Sequence, residues 1–504
     1  MWTKEVLQQI VRRELGDYRL VVVSNRQPYV HQLVDGKVHY DVPAGGLTNA
    51  IDPLMQACGG TWVAHGSGTG DRLVVEAGNK VMVPPDDPKY ALRLLWLTEQ
   101  EEQGYYYGFS NEALWPLCHN AYAEPNFELR DWLTYKSVNE LFAGSILDEI
   151  GGKPAVVFIQ DYHLALLSRL LRSADADVIT GQFWHIPWPN PDIYRICPWQ
   201  KEILDGLLGN DLLGFHIGEH SNNFISSVSR ILDARVDQEY NFISYRGGTT
   251  LVRPFPISVD FERIDQEAQS DGVVREMERL VNELGLAGQV VGLGIDRIDY
   301  TKGIPHRFKA IGRFFEKYPQ YLEKVVFVQA GVISRAEIDA YRWLAKQIDQ
   351  LLEDINGRFA RKGWQPIIYM PDDLPWDTLM ALRRLAQFCV VSSLHDGMNL
   401  VAKEYVASRF DEDGVLILSP FTGAALELTQ ALIVNPYATE EFADSILKAV
   451  TMAKPERQWR MQQMRSTVRE NNIYKWAAQL LVQLLQHTPR GRMSPGEALS
   501  SSAH

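Results

Sequence analysis

Cysteine is scarce in this chain of 504 residues, which contains only Cys58, Cys118, Cys197 and Cys389. These residues are far apart, and no two of them share a CxxC spacing. A zinc site or a disulfide framework is therefore not expected, because both need cysteines in clusters or at regular spacings. The four residues are interpreted as buried, reduced thiols.

Long apolar runs are also missing. No stretch approaches the roughly 20 apolar residues of a membrane-spanning helix, and the first residues show no basic region followed by the apolar run of a signal peptide. The net charge of −13 argues against nucleic acid or an anionic membrane as the main partner. We expect a cytoplasmic protein that acts on small molecules, and the sequence leaves its oligomeric state, including a homo-oligomer, open.

The chain is too long for a single hydrophobic core, since cores stop growing beyond about 250–300 residues. Short apolar runs alternate with helical patterns such as those over 219–232 and 339–355, and strands this apolar are typical of parallel sheets covered on both faces. The sequence therefore predicts an α/β protein with two Rossmann-like domains. Strands are predicted over residues 20–24, 155–159, 177–180, 212–215, 290–295, 325–330, 367–369, 389–392, 415–419 and 433–435.

The boundary between the domains is predicted at Arg253-Pro254-Phe255-Pro256, where two prolines restrict the backbone and suit a linker. The predicted domains are residues 1–254 and 255–487. The tail, residues 488–504, is rich in Pro, Gly, Ser and Arg, so we expect it to be disordered.

The first candidate site residues lie near strand or helix ends in the first half, since ligands of open α/β sheets bind beyond the carboxyl ends of the strands. Arg26 follows a strand, where a guanidinium can bind a phosphate or form a surface salt bridge. Gly45 and Gly46 precede a helix, where paired glycines either let N–H groups approach a phosphate or make an ordinary turn. Tyr106 and Trp115 belong to an aromatic-rich segment, typical of a core and also of a surface on which sugar rings stack.

Asp161 and His185 each follow a further predicted strand. Either side chain can hydrogen-bond a sugar hydroxyl or take part in proton transfer, while a histidine at such a position can equally be structural. No second histidine stands four residues further along from His163 or His185, so the sequence gives no support for a metal site.

In the second half, Arg297 and Lys302 lie in the loop that follows the strand over 290–295. Two cations in such a loop suit a diphosphate leaving group, whose negative charge grows in the transition state. Arg335 follows the strand over 325–330 and offers a further contact to an anion.

The densest signal is the segment over residues 395–405. A turn at Gly397 opens a helix, whose free N–H groups would face a phosphate or a sugar. Asp396 precedes that turn. Glu404 lies further along the same helix, where a carboxylate can bind the hydroxyl groups of a ribose.

These motifs occur together in the order known from one family. They are Ser24-Asn25-Arg26, Gly45-Gly46, Trp115-Pro116, Asp161-Tyr162-His163, His185-Ile186-Pro187, Arg297-Ile298-Asp299-Tyr300-Thr301-Lys302-Gly303 and the segment over 396–404. From about residue 19 to 485, the chain resembles the trehalose-6-phosphate synthases, which are retaining enzymes of glycosyltransferase family 20. The resemblance implies a GT-B fold, in which two Rossmann-like domains face each other across a cleft and the final helix, around residues 476–485, crosses back to the first domain.

The resemblance also implies the substrates, with UDP-glucose or another nucleotide glucose as donor and glucose 6-phosphate as acceptor. The implied donor-binding residues are Gly45, Gly46, Arg297, Lys302, Asp396, Gly397, Met398, Asn399, Leu400, Val401 and Glu404. The implied acceptor-binding residues are Arg26, Tyr106, Trp115, Asp161 and Arg335. The implied catalytic residues are Arg297, Lys302, Asp161 and His185.

The family's reaction retains the anomeric configuration, and the departing phosphate takes the proton of the acceptor hydroxyl. Neither an enzyme nucleophile nor a metal or other cofactor is expected. Three segments depart from the family pattern and are candidates to line the cleft. They are residues 27–44 with a predicted hairpin tip at 34–37, His395 where many members have arginine, and residues 190–199.

Three other functions stay open from the sequence. A glucosylglycerol-phosphate synthase would use glycerol 3-phosphate as acceptor, and a pseudo-glycosyltransferase would join cyclitols through a C–N bond. A non-catalytic relative would only sense sugar phosphates. Arg26 and the Gly45-Gly46 pair favour a hexose phosphate over glycerol 3-phosphate, and the full set of polar site residues argues against a non-catalytic protein.

Overall fold

The structure is a computed structural model that describes residues 2–43, 46–121, 123–332, 335 and 337–487. Its helices are α1 Lys4–Leu15, α2 Gly46–Cys58, α3 Asp71–Val74, α4 Glu99–Glu102, α5 Trp115–His119, α6 Leu129–Ile150, α7 Leu167–Ser173, α8 Pro191–Tyr194, α9 Gln200–Leu207, α10 Gly218–Ile231, α11 Phe261–Glu267, α12 Asp271–Glu283, α13 Ile304–Lys317, α14 Asp339–Phe359, α15 Trp376–Leu385, α16 Leu400–Ser408, α17 Thr439–Thr451, α18 Lys454–Glu470 and α19 Ile473–His487. Its strands are β1 Arg19–Arg26, β2 Val30–Val34, β3 Lys37–Asp41, β4 Thr61–His65, β5 Lys80–Val83, β6 Tyr90–Leu95, β7 Ala155–Gln160, β8 Val178–Phe183, β9 Leu212–Phe215, β10 Arg235–Asp237, β11 Phe242–Tyr245, β12 Gly248–Pro254, β13 Val290–Ile295, β14 Val325–Ala330, β15 Ile367–Met370, β16 Phe388–Val391, β17 Val415–Leu418 and β18 Leu432–Ile433. A π-type helix over Gln103–Leu114 leads directly into α5.

The described chain divides into two compact units. Unit 1 runs up to Ile257 and resumes at Ile473, and unit 2 is Ser258–Asn472. All the strands expected from the sequence are present, with ends that differ by a few residues at most. The two helical patterns predicted over 219–232 and 339–355 correspond to α10 and α14. The predicted tail over 488–504 lies outside the described residues.

Among the residues that the structure describes, unit 1 contains a ten-stranded sheet with the order β10-β11-β12-β9-β8-β7-β1-β4-β6-β5. The strands from β12 to β6 in that order pair in parallel, and antiparallel strands complete both edges. Every residue of β7 and β8 is buried, as expected for central parallel strands covered on both faces. The carboxyl ends of β1, β7 and β8 therefore lie side by side.

Helix α19 belongs to unit 1 although it follows unit 2 in the sequence. Trp476 Nε1 donates a hydrogen bond to the carbonyl oxygen of Phe255 at 3.2 Å. The helix also packs tightly on β8, because a Cβ added at Gly181 would lie 2.9 Å from Leu484 Cδ2. Glycine at this position lets the helix approach the sheet.

Arg253 and Pro254 are not part of a free linker, although the two units divide close to the predicted boundary. Arg253 and Pro254 are the last residues of β12 and pair in register with β9. Phe255 is buried, and its N–H donates to Phe215 O at 2.7 Å. A proline fits at the end of a strand, where one missing N–H costs little, so these prolines mark a strand end and the chain leaves unit 1 only after Ile257.

Residues 34–37 form the tip of an antiparallel hairpin made of β2 and β3, as predicted. Asp35 and Gly36 supply the turn, and both have positive φ, 49° and 74°. Every residue of β3 is exposed.

Unit 2 contains, within the described residues, a six-stranded parallel sheet with the order β15-β14-β13-β16-β17-β18. Its core combines aliphatic side chains with a group of aromatic ones, among them Phe308, Phe314, Phe327, Trp364 and Phe388. The neighbours β14, β13 and β16 end at the same edge of this sheet, so the loops that follow them are brought together.

Candidate active site

Arg26 is the last residue of β1 and begins a cluster of polar and aromatic groups in unit 1. Its Nη2 donates a hydrogen bond to Tyr106 Oη at 2.8 Å, and its Cζ lies 5.9 Å from the centre of the Tyr106 ring. The Tyr106 ring stacks on His163, with ring centres 5.6 Å apart. Arg26 is exposed and is oriented by a neutral hydroxyl group, so this contact leaves its positive charge available to an anion.

The same cluster contains Trp115. His163 stacks on Tyr162 with ring centres 4.0 Å apart. The ring centres of Tyr162 and Trp115 are 5.8 Å apart. The structure therefore places Arg26, Tyr106 and Trp115, three of the predicted acceptor residues, in one continuous group. Tyr162 and His163 connect them, although no role for these two residues was expected from the sequence.

Asp161 follows β7 and has an unusual backbone, with φ 72° and ψ 178°. This conformation is almost restricted to glycine and costs of order 1–3 kcal/mol in other residues. It is held in place because Oδ1 accepts hydrogen bonds from the N–H groups of Tyr162 at 3.0 Å and His185 at 3.1 Å. Gln182 Nε2 also donates to the Asp161 carbonyl oxygen at 3.0 Å. Strain of this kind, fixed by surrounding contacts, is typical of an active site.

His185 follows β8 and is joined to Asp161 by the hydrogen bond from its N–H. Burial lowers the pKa of His185 to about 3, so the imidazole is neutral at pH 7. Its Nε2 lies 2.9 Å from Gln160 Oε1, and because an amide oxygen only accepts, Nε2 carries the proton and Nδ1 is an acceptor. A ring with so low a pKa is a weak base, so the geometry favours a hydrogen bond to a hydroxyl group over proton transfer.

In unit 2, two separate loops bring Lys302 and Asp396 together. Lys302 Nζ lies 2.5 Å from Asp396 Oδ2. The same oxygen accepts hydrogen bonds from Ser393 Oγ at 3.1 Å and from Asn399 Nδ2 at 3.2 Å. Two of the predicted donor residues, 94 positions apart in the sequence, thus form one ion pair at the carboxyl edge of the sheet.

Arg307 supports the loop that carries Lys302. This buried arginine belongs to no motif that the sequence indicated. Arg307 on α13 donates from Nη1 to Asp296 Oδ2 at 2.5 Å and to Gln329 Oε1 at 2.7 Å. Its Nε donates to Ser392 Oγ at 3.0 Å, and that hydroxyl donates to the Lys302 carbonyl oxygen at 3.0 Å. The fully buried guanidinium of Arg307 therefore fixes the backbone that carries Lys302, through the hydroxyl group of Ser392.

Arg297 and Arg335 are linked through Asp299, which has no solvent exposure. Burial alone would raise the pKa of Asp299, but the charges of Arg335, Lys302 and Arg297, together with a hydrogen bond from the Thr301 N–H, lower it below its ordinary value. Arg335 Nη1 lies 3.6 Å from Asp299 Oδ2. The predicted acceptor residue Arg335 therefore shares a carboxylate with the loop that carries Arg297 and Lys302.

The turn before α16 matches the predicted donor segment over 396–401. Asn399 has φ 75° and ψ 90°, and its Oδ1 caps the helix by accepting from the Ala402 N–H at 3.2 Å. Gly397 and Met398 are buried, whereas Leu400 and Val401 are partly exposed at the first turn of the helix. A Cβ added at Gly423 would lie 2.3 Å from the Gly397 carbonyl oxygen, so the following loop packs directly on this turn.

Glu404 stands one helical turn after Leu400, and its carboxylate is bound by Arg383 of α15. Arg383 is 2% exposed and Glu404 is 8% exposed. The predicted ribose-binding carboxylate is thus held by a buried cation. Arg383 gave no signal in the sequence, because it lies in an amphipathic helix that contains no motif.

The remaining predicted positions are less informative. Gly45 lies outside the described residues, and Gly46 is the first residue of α2. His395 is half-buried beside Asp396. In the segment over 190–199, Trp199 stacks on Trp132 with ring centres 5.1 Å apart, so the end of this segment is packed into unit 1.

Within the ranges that the structure covers, no group of three or more His, Cys, Asp and Glu side chains is arranged to hold a metal ion. No helix in the same ranges is long and apolar enough to cross a membrane.

Two Rossmann-like units with charged residues at the carboxyl ends of parallel strands are the architecture of a GT-B glycosyltransferase. Comparison with known proteins identifies the family, because the model of glycosyltransferase family 20 matches residues 18–486. The chain belongs to glycosyltransferase family 20. The predictions of the fold class and of the family are confirmed.

Similar proteins agree with this assignment. The chain is 34% identical over 478 residues to the alpha,alpha-trehalose-phosphate synthase (UDP-forming) of Candida albicans, a match that covers 94% of this chain and 98% of the relative. A solved structure from E. coli bound with UDP-2-fluoro glucose has a TM-score of 0.82 at 32% identity and covers 92% of this chain and 98% of its own. The UDP-forming synthase of Burkholderia xenovorans in complex with glucose-6-phosphate has a TM-score of 0.83 at 31% identity and covers 92% and 99%.

Proposed function

We propose that the protein transfers glucose from UDP-glucose to glucose 6-phosphate with retention of configuration, giving α,α-trehalose 6-phosphate and UDP. The observation that carries the proposal is the Lys302–Asp396 pair, which joins the two loops with the most specific family motifs. The C. albicans relative is a UDP-forming synthase, and the E. coli structure binds a UDP-glucose analogue. Both support UDP-glucose as the donor.

Unit 2 supplies the donor chemistry in this proposal. Arg297 and Lys302 stabilise the charge that develops on the diphosphate as the bond between the anomeric carbon and the phosphate oxygen breaks. Asp396 and the N–H groups of the turn before α16 hold the donor sugar, and Glu404 binds the ribose. The acceptor hydroxyl attacks the same face of the anomeric carbon, and its proton passes to the departing phosphate oxygen, so no enzyme nucleophile is needed.

Unit 1 supplies most of the acceptor contacts. Arg26, held by Tyr106, binds the phosphate of glucose 6-phosphate, and Trp115 belongs to the surrounding aromatic cluster. Asp161 accepts a hydrogen bond from an acceptor hydroxyl, and neutral His185 accepts one from a hydroxyl of the donor sugar. The B. xenovorans enzyme in complex with glucose-6-phosphate supports this acceptor.

The proposal includes a reaction without a metal ion, because arginine and lysine carry the compensating charge. It also includes a cytoplasmic location. Cys58, Cys118, Cys197 and Cys389 are all free, and reduced thiols are usual in that compartment. Activity that persists in excess EDTA is the expected result, and loss of activity that added Mg²⁺ restores would refute the metal-free reaction.

The test is release of UDP by the purified protein from UDP-glucose with glucose 6-phosphate, glycerol 3-phosphate or no acceptor. We expect rapid release only with glucose 6-phosphate, and an α,α-linked product by NMR. Preference for glycerol 3-phosphate, or tight sugar-phosphate binding without turnover of any nucleotide glucose, would refute the proposal.

A further inference from the structure

Arg383 is a buried cation that uses little of its hydrogen-bonding capacity for stability. Its Nη2 donates to Glu404 Oε2. Within the described residues, neither its Nε nor its Nη1 has a hydrogen-bond partner. A buried donor without a hydrogen-bond partner is destabilising. A guanidinium present only to join two helices would be expected to use most of its N–H groups in hydrogen bonds.

The remaining contacts of Arg383 fix its position. Its Cζ lies 5.0 Å from the centre of the ring of Trp376, which stands two turns earlier on the same face of α15. Trp376 is itself held, because its Nε1 donates to Glu267 Oε2 at 2.7 Å. The carbonyl oxygen of Arg383 accepts from Arg409 Nη1 at 3.2 Å. The guanidinium is therefore oriented by an aromatic ring on one side and by the Glu404 carboxylate on the other.

Glu404 depends on this arrangement more than Arg383 does. A carboxylate with 8% exposure loses most of its hydration, so the ion pair with the Arg383 guanidinium fixes its orientation. A rotated Glu404 would lose the acceptor geometry that two neighbouring ribose hydroxyls require.

We propose that Arg383 is a positioning residue for nucleotide recognition, which holds the carboxylate of Glu404 aimed at the ribose hydroxyls of the donor. The inference rests on the proposed function, in which Glu404 binds the ribose. It assigns a specificity role to a residue that contacts the nucleotide only through another side chain.

Binding of UDP and of 2′-deoxy-UDP, measured by titration calorimetry, tests the proposal without requiring turnover. The wild-type protein is expected to prefer UDP by about tenfold, the worth of about 1.4 kcal/mol from one hydrogen bond to a charged group. Arg383→Met should reduce that preference to nearly one, as Glu404→Gln should. In steady state, Arg383→Met should raise the KM for UDP-glucose while changing kcat little, because a ribose contact acts equally in the ground and transition states.

Arg384→Met is the matched control. Arg384 is the next residue of α15, stacks 4.2 Å from the ring centre of Phe410 and donates to the carbonyl oxygen of Ala268. This variant loses the same charge and should keep the tenfold preference. An equal loss in both variants would mean a general effect of the helix and would overturn the proposal.

A double variant keeps the test decisive if Arg383→Met is unstable. Arg383→Met combined with Glu404→Gln leaves no unpaired carboxylate, and it should bind UDP as Glu404→Gln alone does. A further loss of UDP affinity in the double variant would show that Arg383 acts independently of Glu404 and would overturn the proposal. A wild-type protein that binds both nucleotides equally would also overturn it. Failure of the proposed function would instead appear as absent turnover with glucose 6-phosphate.

Discussion

Lys302→Ala removes the ammonium group that lies 2.5 Å from Asp396 Oδ2. In the proposed reaction this group stabilises the charge that grows on the departing phosphate. Loss of one preorganised contact of this kind costs about 2.7–4 kcal/mol, or roughly 10²–10³-fold in rate. We expect kcat to fall by at least about 10²-fold, with a smaller change in the KM for UDP-glucose.

The structural cost of the same substitution is smaller than its catalytic cost. The Asp396 side chain is 13% exposed and keeps its hydrogen bonds from Ser393 and Asn399. Loss of its cation should lower stability by about 1–3 kcal/mol, less than the total stability of an ordinary domain. The variant should therefore be folded, and its midpoint of thermal unfolding should show this.

The assay is the initial rate of UDP release at saturating glucose 6-phosphate. Lys309→Ala is the control, because Lys309 is exposed on α13 and carries the same charge. A kcat for Lys302→Ala within threefold of the wild-type value, in a folded protein, would refute the role assigned to this lysine. An equal loss in Lys309→Ala would refute it as well.

Three further predictions follow from contacts in the two units. Arg26→Ala should raise the KM for glucose 6-phosphate by about tenfold, the loss of one charged hydrogen bond, and change kcat less. Acid should destabilise the protein, because burial lowers the pKa of His65 to about 4 and of His185 to about 3. The unfolded chain binds these protons near pH 6.5, so each histidine costs up to about 1.4 kcal/mol of stability per pH unit as the pH falls below that value. Phe308→Ala should destabilise unit 2 by about 3–5 kcal/mol, because it leaves a cavity in the core.

Each of these predictions has its own control. Tyr106→Phe removes the hydroxyl that orients Arg26 and should raise the acceptor KM less than Arg26→Ala does. His65→Gln should flatten the dependence of the unfolding midpoint on pH between about 6.5 and 4, and an unchanged slope would contradict the assignment of His65. Lys309→Ala, next to Phe308, should leave the unfolding midpoint almost unchanged, and an equal shift in both variants would contradict the cavity argument.

Most central strands were predictable because their residues are apolar, as burial on both faces requires, although the equally buried β4 was not identified. β7 and β14 each open with an unbroken apolar run, over 155–159 and 325–328, and every residue of each strand is buried. The strands β10 and β11 at the edge of the sheet were not identified, since exposed residues interrupt them. They are strands only because β11 pairs with β12 and β10 pairs with β11. Pro254 was misread because proline is equally compatible with a linker and with the end of a strand.

The residues of the candidate site also fall into two groups, those that the sequence indicated and those that it did not. Residues at strand ends, such as Lys302 and Asp396, could be found because their loops carry recognisable motifs. The supporting residues could not, because their roles arise from contacts between distant parts of the chain. Arg307 reaches Ser392 across 85 positions, and Arg383 reaches Glu404 across 21. No local pattern distinguishes such an arginine from one on a solvated helix face.

The return of α19 to unit 1 has a consequence for how the polypeptide is made. Synthesis proceeds from the amino terminus, and domains generally fold as units while the chain emerges. Unit 2 is contiguous and can fold as soon as its last helix has left the ribosome, whereas unit 1 must keep the surface beside Gly181 and Phe255 uncovered until α19 is translated. An expression fragment that stops before Ile473 would therefore contain every strand of both sheets and still present an open apolar groove to chaperones and proteases.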